Sequence, residues 1–296
     1  MSYTSAIQAK AAQLLQNGEV ECVLGYEVGP RGRVRPAFVR AANEVERLVW
    51  NQDCTHNLTT YLPRMLRSTQ PGAPKKRVAI VVKPCDARAI NVLLAESQFE
   101  RDQVHVIGVV CEGISQGAGF RPLAEGQAAV QLQSRCLECT ERMPVLADTR
   151  IGDPISIVPQ PGVGEDMALL EAMTPRDRAE YWLRQFDRCI RCYACRQVCP
   201  MCNCPICLYE RDDSLWVGMG IGLSEKRTFH LGRAFHLAGR CVGCNECERV
   251  CPMDIPISLL NRKLAKEVEA LFGYRAGVAP TPGPLITVLG DGEVAP

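Results

Sequence analysis

The pattern that most restricts this chain lies between Cys189 and Cys251. It reads Cys189-Ile-Arg-Cys192-Tyr-Ala-Cys195-Arg-Gln-Val-Cys199-Pro200 and, further on, Cys241-Val-Gly-Cys244-Asn-Glu-Cys247-Glu-Arg-Val-Cys251-Pro252. Two copies of C-x2-C-x2-C-x3-C-P give the spacing that wraps cubane iron–sulfur clusters. Three thiolates close around one cluster, and the fourth, beside the proline, reaches the other. On that rule one 4Fe-4S cluster takes Cys189, Cys192, Cys195 and Cys251, and the second takes Cys241, Cys244, Cys247 and Cys199. Each cluster then ties both motifs together, so the fold and the electron path are specified by the same bonds.

Two other uses of cysteine compete with this one. Tetrahedral zinc also takes C-x2-C pairs, but it joins pairs across a spacer. Disulfide frameworks belong to small secreted chains, whereas here 17 cysteines sit in 296 residues with 47% apolar and 23% charged side chains. That length and balance suit about two domains with ordinary cores. Met1-Ser2-Tyr3-Thr4-Ser5 is not a secretory leader, and no apolar run reaches the roughly 20 residues that a bilayer span needs. We therefore expect a cytoplasmic protein without a membrane span. A net charge of +1 gives no reason to expect a nucleic-acid partner.

Upstream of the motifs the pattern is α/β. Residues 5–17 suit a helix with Ser5 as its cap, 20–28 a strand, 37–39 a hairpin partner and 42–50 a short helix. Residues 77–82 and 104–110 are continuous apolar runs of buried-strand type, and Asp86 to Ser97 has helical spacing between them. Strand, helix, strand makes a right-handed parallel crossover. It sets Cys85 and Cys111 just past the carboxyl ends of neighbouring strands, where open α/β sheets bind ligands. With Cys136-Leu-Glu-Cys139 they form the candidate ligands of a third cluster, Cys85, Cys111, Cys136 and Cys139. Plain packing of buried thiols is the alternative.

The turn-rich stretch 144–164 reads as a boundary. We expect an α/β domain over 1–160, a mainly α-helical dicluster ferredoxin domain over 165–273, and an extended Gly/Pro-rich tail over 274–296. In the second domain Thr174-Pro175 opens a helix to about Arg188, Ser224 caps one to Ala238, and Pro256 opens one to about Leu271.

Nine cysteines fall outside the two motifs. Cys202, Cys204 and Cys207 follow the first motif directly, and with Cys54 they are candidates for a fourth cluster, with zinc or free thiols as alternatives. Cys22, inside a strand, reads as a core thiol. Arg184, Arg188, Arg191, Arg196 and Arg240 flank the motifs, either as a solvated basic face or as cations offsetting cluster charge. His230 and His236 read as structural residues or as outer partners of the ligands.

From about Thr174 to Gly273 the chain resembles the dicluster ferredoxin domains of anaerobic electron-transfer subunits, as in heterodisulfide reductases and related flavin oxidoreductase complexes. The first half is similar to the beta-subunit family of coenzyme F-420 hydrogenases and dehydrogenases. That likeness is carried by Lys83-Pro84-Cys85-Asp86, by Gly108-Val-Val-Cys111, and by Cys136-Leu-Glu-Cys139 followed by the stretch from Ala147 to Asp153. The resemblance implies partner redox subunits of flavin, hydrogenase, formate dehydrogenase or heterodisulfide-reductase type. It also implies FAD, although no G-x-G-x-x-G follows a strand, and Gly218-Met-Gly220-Ile-Gly222 lacks that spacing. The expected function is an iron–sulfur subunit relaying single electrons within a multi-subunit anaerobic oxidoreductase, without substrate chemistry of its own. The alternative is an FAD-containing subunit that exchanges a hydride with coenzyme F-420 or NAD(P)H and feeds its clusters. A zinc-stabilised scaffold is the third reading.

Overall fold

Helix α1 (Tyr3–Gln16) forms because Ile7, Ala11 and Leu14 fall on one face and are buried there. Its cap is Ser2, whose Oγ accepts from the Ser5 amide at 3.2 Å, and not Ser5 itself. Strand β1 (Cys22–Val28) turns back into β2 (Val34–Val39) as an antiparallel hairpin. The helix expected over 42–50 is only a 3-10 turn, Ala42–Arg47. The Val49 amide donates to the Tyr26 carbonyl at 2.8 Å, so pairing with β1 overrides further winding. After the short helix α2 (Leu62–Leu66) come β3 (Val78–Val82), α3 (Pro84–Ala95) and β4 (Val104–Val109), then a single turn, α4 (Ser134–Leu137), and β5 (Thr149–Ile151).

The computed structural model describes residues 2–67, 75–116, 132–155, 164–211 and 217–285. The five strands lie in the order β2-β1-β3-β4-β5, antiparallel at β1–β2 and parallel elsewhere. Every residue of β3 and β4 is buried, His105 included, as their largely apolar runs require of a sheet covered on both faces. The α/β class and the parallel strand–helix–strand core are as expected. Strand β5 was not anticipated. Asp148 holds its start: the carboxylate accepts from the Val106 amide at 2.7 Å, and the Asp148 amide donates to the Val106 carbonyl at 2.9 Å.

The chain divides into two compact units, Met1–Gly164 and Glu165–Pro296. Among the described residues the second unit has helices and no strands: α5 (Glu165–Ala172), α6 (Pro175–Asp187), α7 (Ala194–Gln197), α8 (Leu223–Leu237), α9 (Glu246–Arg249) and α10 (Ile257–Phe272). Helix α6 starts as expected, with Thr174 Oγ1 accepting from the Asp177 amide at 3.2 Å. Helix α8 starts one position before Ser224, with Gly222 in the cap, because the Ser224 hydroxyl bonds to Glu225 at 2.9 Å instead of the backbone. Helix α5 escaped the sequence reading; Met167 and Leu170 pack it onto Leu259 of α10. Residues 274–285 form turns, and the rest of the expected tail lies outside the described residues.

Candidate iron–sulfur centres

The two cysteine motifs adopt one backbone. In each, the second and fourth positions after the leading cysteine have positive φ: Arg191 at 53° and Tyr193 at 59° in the first, Gly243 at 70° and Asn245 at 51° in the second. Each motif then closes with a single helical turn, α7 or α9, that carries the third cysteine. Left-handed conformations are costly for side chains such as Arg and Tyr, and cluster at sites where geometry matters more than local ease. Here they coil the chain so that successive cysteines face one centre.

Cys189, Cys192, Cys195 and Cys251 line one cavity, together with Phe229 and His230. Three of these thiols come from the first motif and the fourth from the second, as the exchange of the last cysteine requires. Cys192 is exposed and Ile190 beside it is 54% exposed, so this centre reaches the surface. Burial pushes the Cys195 thiol up to about 11, against the pull of Arg233. Cys199, Cys241, Cys244 and Cys247 form the complementary neighbourhood. Burial raises both Cys244 and Cys247, and each also feels Cys199 and Cys241. Cys199 is held low by a hydrogen bond from Cys202 and by the charge of Arg233; Cys202 is correspondingly pushed up.

The first unit gathers its own thiols. Cys85 stands in the first turn of α3 and Cys111 directly after β4. Burial lifts Cys111 to about 11, and Cys136 and Cys139 lie among its charged neighbours; Cys85, raised well above its ordinary value by burial and Asp86, has Cys111 among its own. The Ile114 amide donates to Cys136 Sγ at 3.3 Å. Cys54 is buried, accepts from the Asn51 amide at 3.4 Å, and is pushed up to about 12 by that burial.

The surplus cysteines separate. Cys54 belongs to the first unit, whereas Cys202, Cys204 and Cys207 belong to the second. Cys202 is bound to Cys199, Cys204 is exposed, and Cys207 packs on the core around Phe229. Cys22 is buried in β1, the core position expected of it.

Charge is buried beside these thiols. Arg191 and Arg196, read as candidates for a solvated face, are 5% and 6% exposed. Arg191 Nη2 donates to Tyr193 Oη at 2.7 Å, and Arg196 pairs with Glu210 at 3.3 Å. The sequence reading missed Arg233 of α8, which is buried and donates to the Cys195 carbonyl at 2.9 Å. It also missed the interior network in the first unit, where Lys83 pairs with Asp86 at 2.9 Å and donates to the His56 carbonyl at 2.7 Å. The signal available was the i, i+3 spacing of Lys83 and Asp86 at the end of a buried strand.

Among the described residues no three or more His, Cys, Asp or Glu side chains converge on the position of one metal ion. The first set instead surrounds a cavity, one wall of which is His230 with both ring nitrogens unpartnered. Four thiols about a space, with an idle imidazole and no carboxylate lining it, fit a sulfide-bridged cluster, which takes thiolate ligands.

In class, then, this is an α/β unit joined to a helical unit built on two cysteine motifs of one backbone. The chain is 23% identical to an F420-dependent formate dehydrogenase subunit beta from Methanocaldococcus jannaschii, over 86% of this chain and 86% of the relative. It is 25% identical to F420-dependent formate dehydrogenase 1 subunit beta from Methanococcus maripaludis, over 92% of this chain and 90% of that one. Either match is longer than one compact unit, so both halves take part. The resemblance of the sequence to iron–sulfur subunits linked with coenzyme F-420 is borne out. No family model matches the chain. No described helix is long and apolar enough to cross a membrane.

Proposed function

We propose that the chain is the iron–sulfur electron-transfer subunit of a formate-dehydrogenase-type oxidoreductase complex in the cytoplasm. It would relay single electrons between the redox centres of partner subunits. The observation that carries this reading is the cavity lined by Cys189, Cys192, Cys195 and Cys251, a ligand set drawn from both motifs. The collinear likeness to beta subunits of formate dehydrogenases supports the choice of complex. When bound, 4Fe-4S clusters supply one-electron storage at potentials tuned by net charge, hydrogen bonds to sulfur and exposure. The chain's part is to hold and space them. Tyr193 and Phe229 pack edge to face at 5.4 Å in the wall of the first set's cavity, while exposed Cys192 leaves one side open to a partner. In the first unit, Cys85, Cys111, Cys136 and Cys139 would hold a third cluster at the carboxyl ends of β3 and β4.

Anaerobic purification with the partner subunits, followed by iron and sulfide counts, tests the reading. About eight irons per chain correspond to two clusters and about twelve to three. One iron or fewer, or zinc in its place, rejects it.

A second reading is favoured by the relatives' dependence on F420. The first unit would hold FAD, exchange a hydride with coenzyme F-420 or NAD(P)H, and feed the clusters, the protein positioning a cofactor that supplies the chemistry. Release of flavin on denaturing the co-purified complex subunit supports it; a flavin-free supernatant from active complex removes it.

A further inference from the structure

Helix α8 carries two buried polar side chains whose hydrogen-bonding capacity is unused in His230 and only partly used in Arg233. His230 and Arg233 stand at i and i+3, so they share one face of the helix. His230 is 3% exposed, lines the cavity with Cys189, Cys192, Cys195 and Cys251, and has no partner for either ring nitrogen. Its ring is fixed flat against Phe186 of α6, centroids 4.8 Å apart and planes within 9°. An idle N–H in a buried cavity is destabilising unless an acceptor occupies that cavity.

Arg233 makes the same argument with charge. It is 4% exposed, its Nε has no partner, and its hydrogen bonds go to the Cys195 carbonyl and to the Cys202 thiol. The groups that act on its charge most strongly are the thiols of Cys199, Cys202, Cys195 and Cys247, of which Cys195 belongs to one cluster set and Cys199 and Cys247 to the other. A buried guanidinium needs a counter-charge, and the thiol that acts on this one most strongly is Cys199. An anionic, thiolate-bound cluster on either side is the counter-charge that this position calls for.

We propose that α8 sets the reduction potentials of the two centres: Arg233 raises both, and His230 raises only the one held by Cys189, Cys192, Cys195 and Cys251, by donating a ring N–H to a cluster sulfur. The inference rests on the cluster reading above. Each one-electron reduction adds one negative charge to a centre, so a nearby cation or N–H donor stabilises the reduced form and makes it easier to reach. The two side chains act unequally on the two centres, which gives the electron a preferred resting place on the first.

The test is a redox titration of the full chain with its partners, reduced chemically and followed by EPR, after iron and sulfide have been counted. Arg233→Gln is expected to shift the reduction equilibrium of both centres at least tenfold toward the oxidised form, about 59 mV for one electron. Arg233→Lys, which keeps the charge, is expected to stay within about threefold. His230→Phe keeps the stack on Phe186, loses the donor, and is expected to shift one centre severalfold and the other not at all. Fully loaded variants whose two midpoints match the parent's overturn the proposal. If Arg233→Gln does not load, His230→Phe decides alone, and unshifted midpoints in it overturn the proposal. A parent chain without iron overturns the cluster reading instead.

Discussion

Lys83 and Asp86 are 1% and 0% exposed at the side chain, and they meet at 2.9 Å inside the first unit. Burial alone works against the lysine's charge, but Asp86 and the Cys85 thiol outweigh it and hold the ammonium above its ordinary value. Tyr26 of β1 completes the arrangement by donating to the His56 carbonyl at 2.6 Å. Removing one member leaves the other as a buried, uncompensated charge. Asp86→Asn should therefore destabilise the first unit by about 3–5 kcal/mol, whereas Lys83→Met combined with Asp86→Leu should cost much less. A double-mutant cycle of Lys83→Met and Asp86→Leu from denaturant titrations checks this; a double-variant cost equal to the sum of the two single costs would show that the pair is not coupled. Beyond the i, i+3 spacing of Lys83 and Asp86 little of this was legible beforehand, because lysine is a surface residue by habit and Tyr26 and His56 come from two other stretches. The motif cysteines were legible because their spacing is local.

At the level of elements, the two motifs show what local spacing does and does not specify. The single turns α7 and α9 follow from the regular placement of cysteines, but the left-handed residues before them vary in type: Arg191 and Tyr193 in one copy, Gly243 and Asn245 in the other. Gly243 and, more weakly, Asn245 advertise their conformation, whereas Arg191 and Tyr193 do not. No atom lies within 4 Å of where a Cβ would sit at Gly243, so Gly243→Ala should cost the backbone term alone, about 1–2 kcal/mol. Chemical denaturation of the metal-loaded protein measures it, and a neutral effect would mean that this turn is free to relax.

Strand β5 depends on one side chain. Burial would raise the Asp148 carboxyl, but the Val106 amide and the Arg101 guanidinium, 2.6 Å away, hold it below its ordinary value of 3.8. A depressed folded value stabilises the protein above the unfolded carboxylate pKa, and that contribution fades as pH falls through the folded one. Asp148→Asn should thus lower stability by about 1 kcal/mol at neutral pH, and the gap to the parent should close below about pH 4. A gap that persists in acid would assign the effect to packing. The sequence hid β5 because three residues carry too little pattern. It disclosed β3 and β4 because an unbroken apolar run of five residues, and one of six interrupted only by His105, leave few other choices.

For the whole second unit the question is whether the chain is closed by ligands exchanged between motifs. If Cys199 completes the set of Cys241, Cys244 and Cys247, then Cys199→Ser must damage the same centre as Cys244→Ser, although Cys199 lies in the other motif. If each motif served itself, Cys199→Ser would resemble Cys192→Ser. Thiol neighbourhoods favour exchange: Cys244 and Cys247 both feel Cys199, while the cavity of Cys189, Cys192 and Cys195 is completed by Cys251. The three variants, purified anaerobically and reduced, should give two kinds of EPR spectrum. Cys199→Ser and Cys244→Ser should share one, retaining the centre beside exposed Cys192, and Cys192→Ser should show the other. Because each centre then crosslinks both motifs, loss of either should also loosen the segment between Pro200 and Arg240. Faster amide exchange through α8 should follow from all three substitutions, since α8 is anchored at Arg233 to thiols of both sets. Spectra that pair Cys199→Ser with Cys192→Ser would mean that each motif closes on itself, and α8 would then respond to one substitution group and not the other.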